Sequence, residues 1–157
     1  MDEKRKRWIA TCAFIAYGVL LIAAVVFKAI PVLHIGHIRL KFSGQHTGPS
    51  NLIPFKTIWP SLSSAGNNSI AMVNLLGNIV AFVPVGFLAS FIHPRMTWLK
   101  SLVLGSAVGL AMEVMELVLG IGIFDVDDII LNAFGVMLGY WVFVMFNRRA
   151  LTPLTSS

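Results

Sequence analysis

Acidic residues are few in this chain, and three of them lie within four positions just before a long apolar run. Only seven Asp and Glu occur among the 157 residues. Asp125, Asp127 and Asp128 precede the segment IILNAFGVMLGYW, and Glu113 and Glu116 lie inside another apolar segment. Carboxylates placed in this way could act as a general base on water, hold a hard divalent cation, or form polar contacts between helices.

Sequence signatures of a metal site or a nucleophile are weak. DVDD resembles a fragment of a calcium loop but lacks the EF-hand spacing. His34 and His37 in HIGH are three apart, which is more often a pair of interfacial polar residues than a metal site. We find no nucleophile elbow and no phosphate-binding glycine loop. We therefore expect no metal and no cofactor, and we favour a non-enzymatic protein, with a carboxylate general base as the alternative.

The composition predicts a membrane protein of one domain, residues 1–157. The chain is 57% hydrophobic and 12% charged, with a mean hydropathy of +0.81, whereas soluble domains carry about 25% charged residues. Four segments reach the roughly 20 apolar residues that a spanning helix needs. They lie at about 8–30, 70–92, 98–119 and 129–146. We predict an all-α, integral membrane four-helix bundle with one long outer loop between spans one and two.

Basic residues predict the direction of the spans. Eight of the twelve Lys and Arg precede span one, lie between spans two and three, or follow span four. If both termini are cytoplasmic, all eight lie on the cytoplasmic side, as the positive-inside rule requires. The role of the basic residues in membrane orientation explains the net charge of +5, so we expect no nucleic-acid partner. The loop 31–69 then faces outward, and its NLIPFKTIW segment is too short to span and is typical of a re-entrant or interfacial piece.

Polar residues of three spans are predicted to meet at one depth in the outer half of the bundle. Glu113 and Glu116 share a face of span three, because residues three or four apart do so in a helix. The other candidate members, from spans two and four, are Asn74, Asn78, Asp127, Asp128 and Asn132. Two interpretations stay open for the asparagines, helix-packing contacts and a functional site. Asp125 and Asp127 also fit solvated acids that cap span four.

Glycines continue the polar stripe of span four. Asp128, Asn132, Gly135 and Gly139 follow one face, and the two glycines form a small-xxx-small pair that lets another helix approach closely. That helix could belong to this chain or to a second copy, so an oligomer is possible. Phe55, Phe82 and Phe87 could line an acyl groove, although aromatic residues in spans more often pack in the core.

Four segments together resemble the VanZ-like membrane protein family: NLIPFKTI, NLLGNIVAFVPVGFL, EVMEL and GIFDVDDIILNAFGVMLGY. The resemblance covers about 51–140. It implies that Asn51, Pro54 and Phe55 form an outer-loop motif, and that Asn78, Glu113, Asp127, Asp128 and Asn132 are family positions. Glu116 stands where Gln is common, and Ile121 stands where many members carry Arg. Arg39, Lys41 or Lys56 could supply the missing positive charge.

The resemblance implies a multi-pass protein of the bacterial cytoplasmic membrane. The founding member is linked to resistance to teicoplanin, a glycopeptide antibiotic with an acyl tail, and no enzyme activity is settled for the family. We predict a binding or accessory protein at the outer leaflet. Its expected partners are membrane lipids, with a lipoglycopeptide antibiotic or a lipid-linked cell-envelope precursor as candidates. The alternatives are an intramembrane enzyme that acts on such a lipid through Glu113 and Asp128, and a purely structural polar cluster.

Overall fold

The computed structural model of the chain describes residues 2–28, 33–35, 38–40, 50–63 and 69–147. Within these ranges the helices and strands are α1 Glu3–Lys28, β1 Leu33–Ile35, β2 Ile38–Leu40, α2 Ile58–Ser63, α3 Ser69–Ile92, α4 Trp98–Val118 and α5 Val126–Phe146. The long helices α1, α3, α4 and α5 are long and apolar enough to cross a membrane. The predicted class, a helical membrane protein with four spans, is confirmed. The cytoplasmic position of the termini stays a prediction.

Polar residues in the first turns explain why α1 and α5 begin before their apolar runs. α1 begins at Glu3, before the apolar run, and Lys6 pairs with Glu3 at 2.7 Å in its first turn. α5 begins at Val126, three residues before the predicted span. The reason is that the Asp125 carboxylate caps the helix by accepting a hydrogen bond from the Asp127 N–H at 2.9 Å.

The outer loop contains regular structure that its turn-rich sequence did not predict. β1 pairs with β2 antiparallel, with Leu33 opposite Leu40. The NLIPFKTIW segment forms a turn at 54–57 and then enters α2. It therefore neither spans nor continues as one extended piece.

α5 is the central helix of the bundle. It packs along α3 on one side and α4 on another, while α3 and α4 hardly touch each other, and α1 packs mainly on α3. The buried core cluster joins Phe82 and Val85 of α3 to Val136 of α5. Side chains of α1 and α4 pack around it, including Phe14, Tyr17, Leu21, Leu104, Val108 and Met112.

Glycines allow α5 to approach its neighbours at backbone distance. A Cβ added at Gly135 would overlap the Ile79 carbonyl oxygen, and one at Gly139 would overlap the Val83 carbonyl oxygen. On α4, a Cβ at Gly105 would lie 2.6 Å from the Ala133 Cα. The small-residue pair of span four therefore packs against α3 of the same chain.

Pro84 interrupts the hydrogen-bond ladder of α3 near the core. Proline lacks the N–H that an interior helical residue donates. Three residues earlier, the Ala81 carbonyl accepts a hydrogen bond from the Tyr17 hydroxyl of α1 at 2.8 Å. This hydrogen bond joins α1 to α3 beside the interruption.

The basic segments lie together at one end of the bundle. One pocket is lined by Glu3 and Arg7 of α1, by His93 after α3 and by Asn147 after α5. The start of α1, the link between α3 and α4, and the end of α5 therefore share this end, which we call the basic end. Arg148 and Arg149 lie outside the described residues.

Replacement of Gly139 by alanine should destabilise the fold. The new methyl group would meet the α3 backbone rather than a flexible side chain, and overpacking of this kind costs about 1–3 kcal/mol. We expect the midpoint of thermal unfolding in detergent to fall by roughly 2–10 °C. Gly77→Ala is the matched control, since a Cβ there meets nothing within 4 Å. Equal midpoints for the two variants would contradict the close approach of α3 and α5.

Candidate functional site

The Asp127 carboxylate attaches the outer loop to the start of α5. Asp127 is fully buried. One of its oxygens accepts a hydrogen bond from the Phe55 N–H at 2.5 Å. The other accepts from the N–H groups of Thr57 at 2.6 Å and Ile58 at 3.1 Å. Because Asp127 also lies in the first turn of α5, the helix dipole adds to the stabilisation of its negative charge.

Asp125 and Asn51 form a second connection between the same two segments. The Asn51 N–H donates to the Phe124 carbonyl at 2.8 Å, and the Val126 N–H donates to the Asn51 carbonyl at 3.0 Å, as in a parallel β-bridge. The Asn51 side-chain amide also donates to Asp125 Oδ1 at 2.8 Å. Thr57 Oγ1 donates to Asp125 Oδ2 at 2.8 Å. Backbone and side chains together therefore fix the register of the loop on α5.

Phe55 has a backbone conformation that this attachment maintains. Its φ of 66° is in the left-handed region, the one such value among the non-glycine residues that the structure describes. That conformation is costly for a residue with a side chain. The Phe55 N–H points to Asp127 in this conformation, so the hydrogen bond to a charged acceptor offsets the cost.

Glu113 connects α4 to the turn that precedes α5. Its side chain is buried, and Oε2 accepts a hydrogen bond from the Asp125 N–H at 2.8 Å. The turn contains Gly120, whose φ of 67° allows the chain to reverse after α4. Glu116 lies against Gly122, where an added Cβ would be 2.6 Å from Glu116 Oε2. The two glutamates therefore shape the connection between α4 and α5.

Asn78 and Asp128 join α3 to α5. The Asn78 amide donates to Asp128 Oδ1 at 2.6 Å. Asn132, one turn further along α5, is buried and packs against α4, where a Cβ at Gly109 would lie 3.2 Å from the Asn132 Cβ. The buried Asn132 Oδ1 has no hydrogen-bond partner among the described residues.

The structure thus brings most of the candidate residues to one end of the bundle, opposite the basic end. We call this group the polar cluster: Asn51, Thr57, Asn78, Glu113, Asp125, Asp127, Asp128 and Asn132. Glu116 borders it. Within the cluster, hydrogen bonds of Glu113, Asp127 and Asp128 reach three different segments: the turn before α5, the outer loop and α3.

Several sequence expectations need correction. Asp127 is not a solvated cap, because it is fully buried under residues 55–58. Asn74 does not join the polar cluster. Its side chain is exposed on α3, since four residues rotate a helix by about 40° more than one full turn. Phe82 is in the core and Phe87 packs edge-to-face on Phe143 at 6.0 Å, so neither lines an acyl groove.

The sequence predicted Asp125 as a cap of span four, and Asp125 is the N-cap of α5. It predicted neither the participation of Thr57 nor the hydrogen bonds that Asp125 accepts from Asn51 and Thr57. Both follow from pairing between residues about 70 positions apart, which a helical periodicity does not reveal. One feature of the sequence could have indicated that Thr57 takes part: it lies in the same NLIPFKTI segment as Asn51. Of the basic residues proposed to replace the missing Arg, Lys56 is exposed, Lys41 lies outside the described residues, and the Arg39 side chain is not described.

The loop also presents a row of large apolar side chains to the surroundings. We call Leu52, Ile53, Phe55 and Trp59 the apolar ridge; their exposed fractions run from 59% to 72%. Pro54, between Ile53 and Phe55, is exposed as well. Because the backbone of this loop is fixed by Asn51 and Asp127, the ridge is a defined surface beside the polar cluster.

The chemistry of the polar cluster is that of hydrogen bonding between segments. In the part of the chain that the structure describes, no group of three or more His, Cys, Asp and Glu side chains is arranged to hold a metal ion. The oxygens of Asp125 and Asp127 accept hydrogen bonds from the chain itself.

Fold and site together define a multi-pass helical membrane protein with a polar cluster at one end. The chain belongs to the VanZ/LLP1 family, whose sequence profile matches residues 14–147. It is 25% identical over 133 residues to Protein VanZ of Enterococcus faecium, covering 85% of this chain and 72% of that protein. No solved structure matches the chain.

Asp127→Asn should release the loop. An amide has one acceptor oxygen, so at least one of the three backbone N–H groups loses its acceptor, and hydrogen bonds to charged groups contribute about 1.5–3 kcal/mol. A loss of about 2 kcal/mol corresponds to roughly 30-fold faster exchange, which we expect for the Phe55, Thr57 and Ile58 amides in hydrogen–deuterium exchange. Asp128→Asn is the comparison, because it makes the same change one residue away, at a carboxylate whose Oδ1 accepts a hydrogen bond from Asn78 of α3. Unchanged exchange in Asp127→Asn would refute the attachment.

Proposed function

We propose that this protein is a non-enzymatic binding or accessory protein of the outer leaflet, and that it reduces the susceptibility of the cell to lipoglycopeptides such as teicoplanin. The observation that carries the proposal is the apolar ridge, held in fixed geometry beside the polar cluster. Membership of the VanZ/LLP1 family supports it, since the resemblance links the family to teicoplanin. We place the protein in the bacterial cytoplasmic membrane.

The apolar ridge suits insertion at the boundary between headgroups and acyl chains. Full burial of a large apolar side chain contributes about 1.5–3 kcal/mol, and four exposed residues of this kind occur within the segment 52–59. Trp59, the most exposed of them, is a residue type enriched at membrane interfaces. A mobile loop could turn these side chains away from water. The hydrogen bonds from Thr57 to Asp127 and Asp125 hold the backbone of this loop in place, so the side chains stay exposed.

From the positive-inside rule we infer that the ridge lies in the outer leaflet. The basic end carries Lys4 to Arg7, Arg95 and Lys100, which favours the cytoplasmic side for that end. The polar cluster and the ridge lie at the opposite end. An amphiphile in the outer leaflet would then meet apolar side chains for its acyl part and polar groups for its headgroup. A lipoglycopeptide, a glycolipid and a lipid-linked wall precursor share this chemistry.

The hydrogen bonds that the carboxylates accept from the chain itself favour a binding function over catalysis. A general base lies within hydrogen-bond reach of the proton that it takes up from a substrate or a water molecule. Asp125 and Asp127 accept hydrogen bonds at both oxygens, and Glu113 accepts one from the backbone. These contacts give the carboxylates a role in shaping the outer surface.

The proposal predicts protection that is selective for the acylated drug. In a susceptible Gram-positive host, the protein should raise the inhibitory concentration of teicoplanin at least fourfold and leave that of vancomycin, which lacks an acyl tail, unchanged. Ile53→Ser should remove most of this protection. Val103→Ser is the matched control, because Val103 on α4 has the same exposed fraction, 63%, away from the ridge.

Membrane levels of all variants are matched by immunoblot. Equal protection by wild type and Ile53→Ser would show that the ridge has no part in the function. Equal protection against both drugs, or none from the wild type, would overturn the lipoglycopeptide proposal itself.

A further inference from the structure

A second pocket lies at the basic end, far from the polar cluster. Its cavity of about 180 Å³ is formed where the start of α1 meets the ends of α3 and α5. The polar groups on its wall that can donate hydrogen bonds are Arg7, His93, Tyr140 and Asn147. Because they come from three separate parts of the chain, the pocket exists only in the folded bundle.

The segments around this pocket are positively charged. Glu3 also lines it, but Glu3 pairs with Lys6 at 2.7 Å, which offsets its negative charge. Arg7 forms no salt bridge among the described residues, although its charge also acts on that of Glu3. The surrounding segments 2–7 and 93–100 contain six Lys and Arg and two acidic residues. An anion is therefore the charge class that the pocket attracts.

Much of the remaining pocket wall is apolar. Phe91 and Phe143 form an edge-to-face pair with centroids 5.9 Å apart, and Val144 and Met96 extend the apolar wall. Ser90, also on the wall, is fully buried and donates to the Gly86 carbonyl at 2.6 Å, so its hydroxyl proton is already used. A small inorganic anion would leave this apolar surface uncovered, whereas a lipid would cover it.

We propose that this pocket binds the phosphate headgroup of an anionic phospholipid from the leaflet at the basic end of the bundle. Arg7 and His93 provide the contacts to the phosphate, Tyr140 and Asn147 donate to its oxygens or to the glycerol, and the first acyl carbons lie along Phe91 and Phe143. Basic pockets between spanning helices on the cytoplasmic side recognise lipid headgroups in this way. The proposal is independent of the lipoglycopeptide function, because it involves the opposite end of the molecule.

The test compares lipids on the full-length protein in phosphatidylcholine nanodiscs. Phosphatidylglycerol is titrated in, bound lipid is counted by native mass spectrometry, and the midpoint of thermal unfolding is followed. Wild type should retain phosphatidylglycerol in preference to phosphatidylcholine and should unfold at a higher temperature as its fraction rises. Arg7→Gln should weaken retention about tenfold, and Tyr140→Phe should weaken it by a smaller factor.

Arg5→Gln is the matched control, because it removes the same charge two residues away and Arg5 does not line the pocket. It should change retention less than twofold. Equal losses in Arg5→Gln and Arg7→Gln would show general electrostatic attraction and overturn a defined site.

Inorganic phosphate is added in a separate arm without phosphatidylglycerol. Equal stabilisation by phosphate would assign the pocket to a free anion and overturn the lipid assignment.

Discussion

The buried Asp127 carboxylate is the interaction on which the outer end of this protein depends. A charge removed from water is costly unless donors replace the lost hydration. Here the replacement comes from three backbone amides of the loop and from the N-terminus of α5. Since the donors belong to main-chain groups, the loop cannot move without leaving the charge unsatisfied. One side chain thereby determines the position of the apolar ridge and the left-handed conformation of Phe55.

The glycines of α5 make the polar contacts around Asp127 possible. Gly135 and Gly139 let α5 lie directly on the α3 backbone, and Gly105 and Gly109 of α4 do the same on the other side. At this separation a short side chain such as Asn78 reaches Asp128 across the interface. Larger residues at the glycine positions would move α3 away. The apolar packing in the middle of the bundle and the polar cluster at its end are therefore parts of one arrangement.

The sequence predicted what depends on hydropathy and helical periodicity. Four apolar runs gave the four spans, and the depth of Asn78, Glu113, Asp128 and Asn132 along those spans predicted that they would share one end. Periodicity failed where small rotations matter, as for Asn74. It also could not predict the pairing of Asn51 with Asp125, because backbone hydrogen bonds between distant segments leave no spacing pattern. The burial of Asp127 follows from that pairing, so the sequence made it look like a solvent-exposed cap.

The most direct test is the depth of the apolar ridge in a membrane. Ile53→Cys, made in a Cys12→Ser background, is labelled with an environment-sensitive fluorophore and reconstituted into lipids brominated near the headgroup. We predict strong quenching by these lipids, little quenching by aqueous iodide, and reversal of this pattern when Asp127→Asn is added. Quenching by iodide but not by brominated lipid in the protein with Asp127 intact would contradict the account, because the ridge would then lie in water.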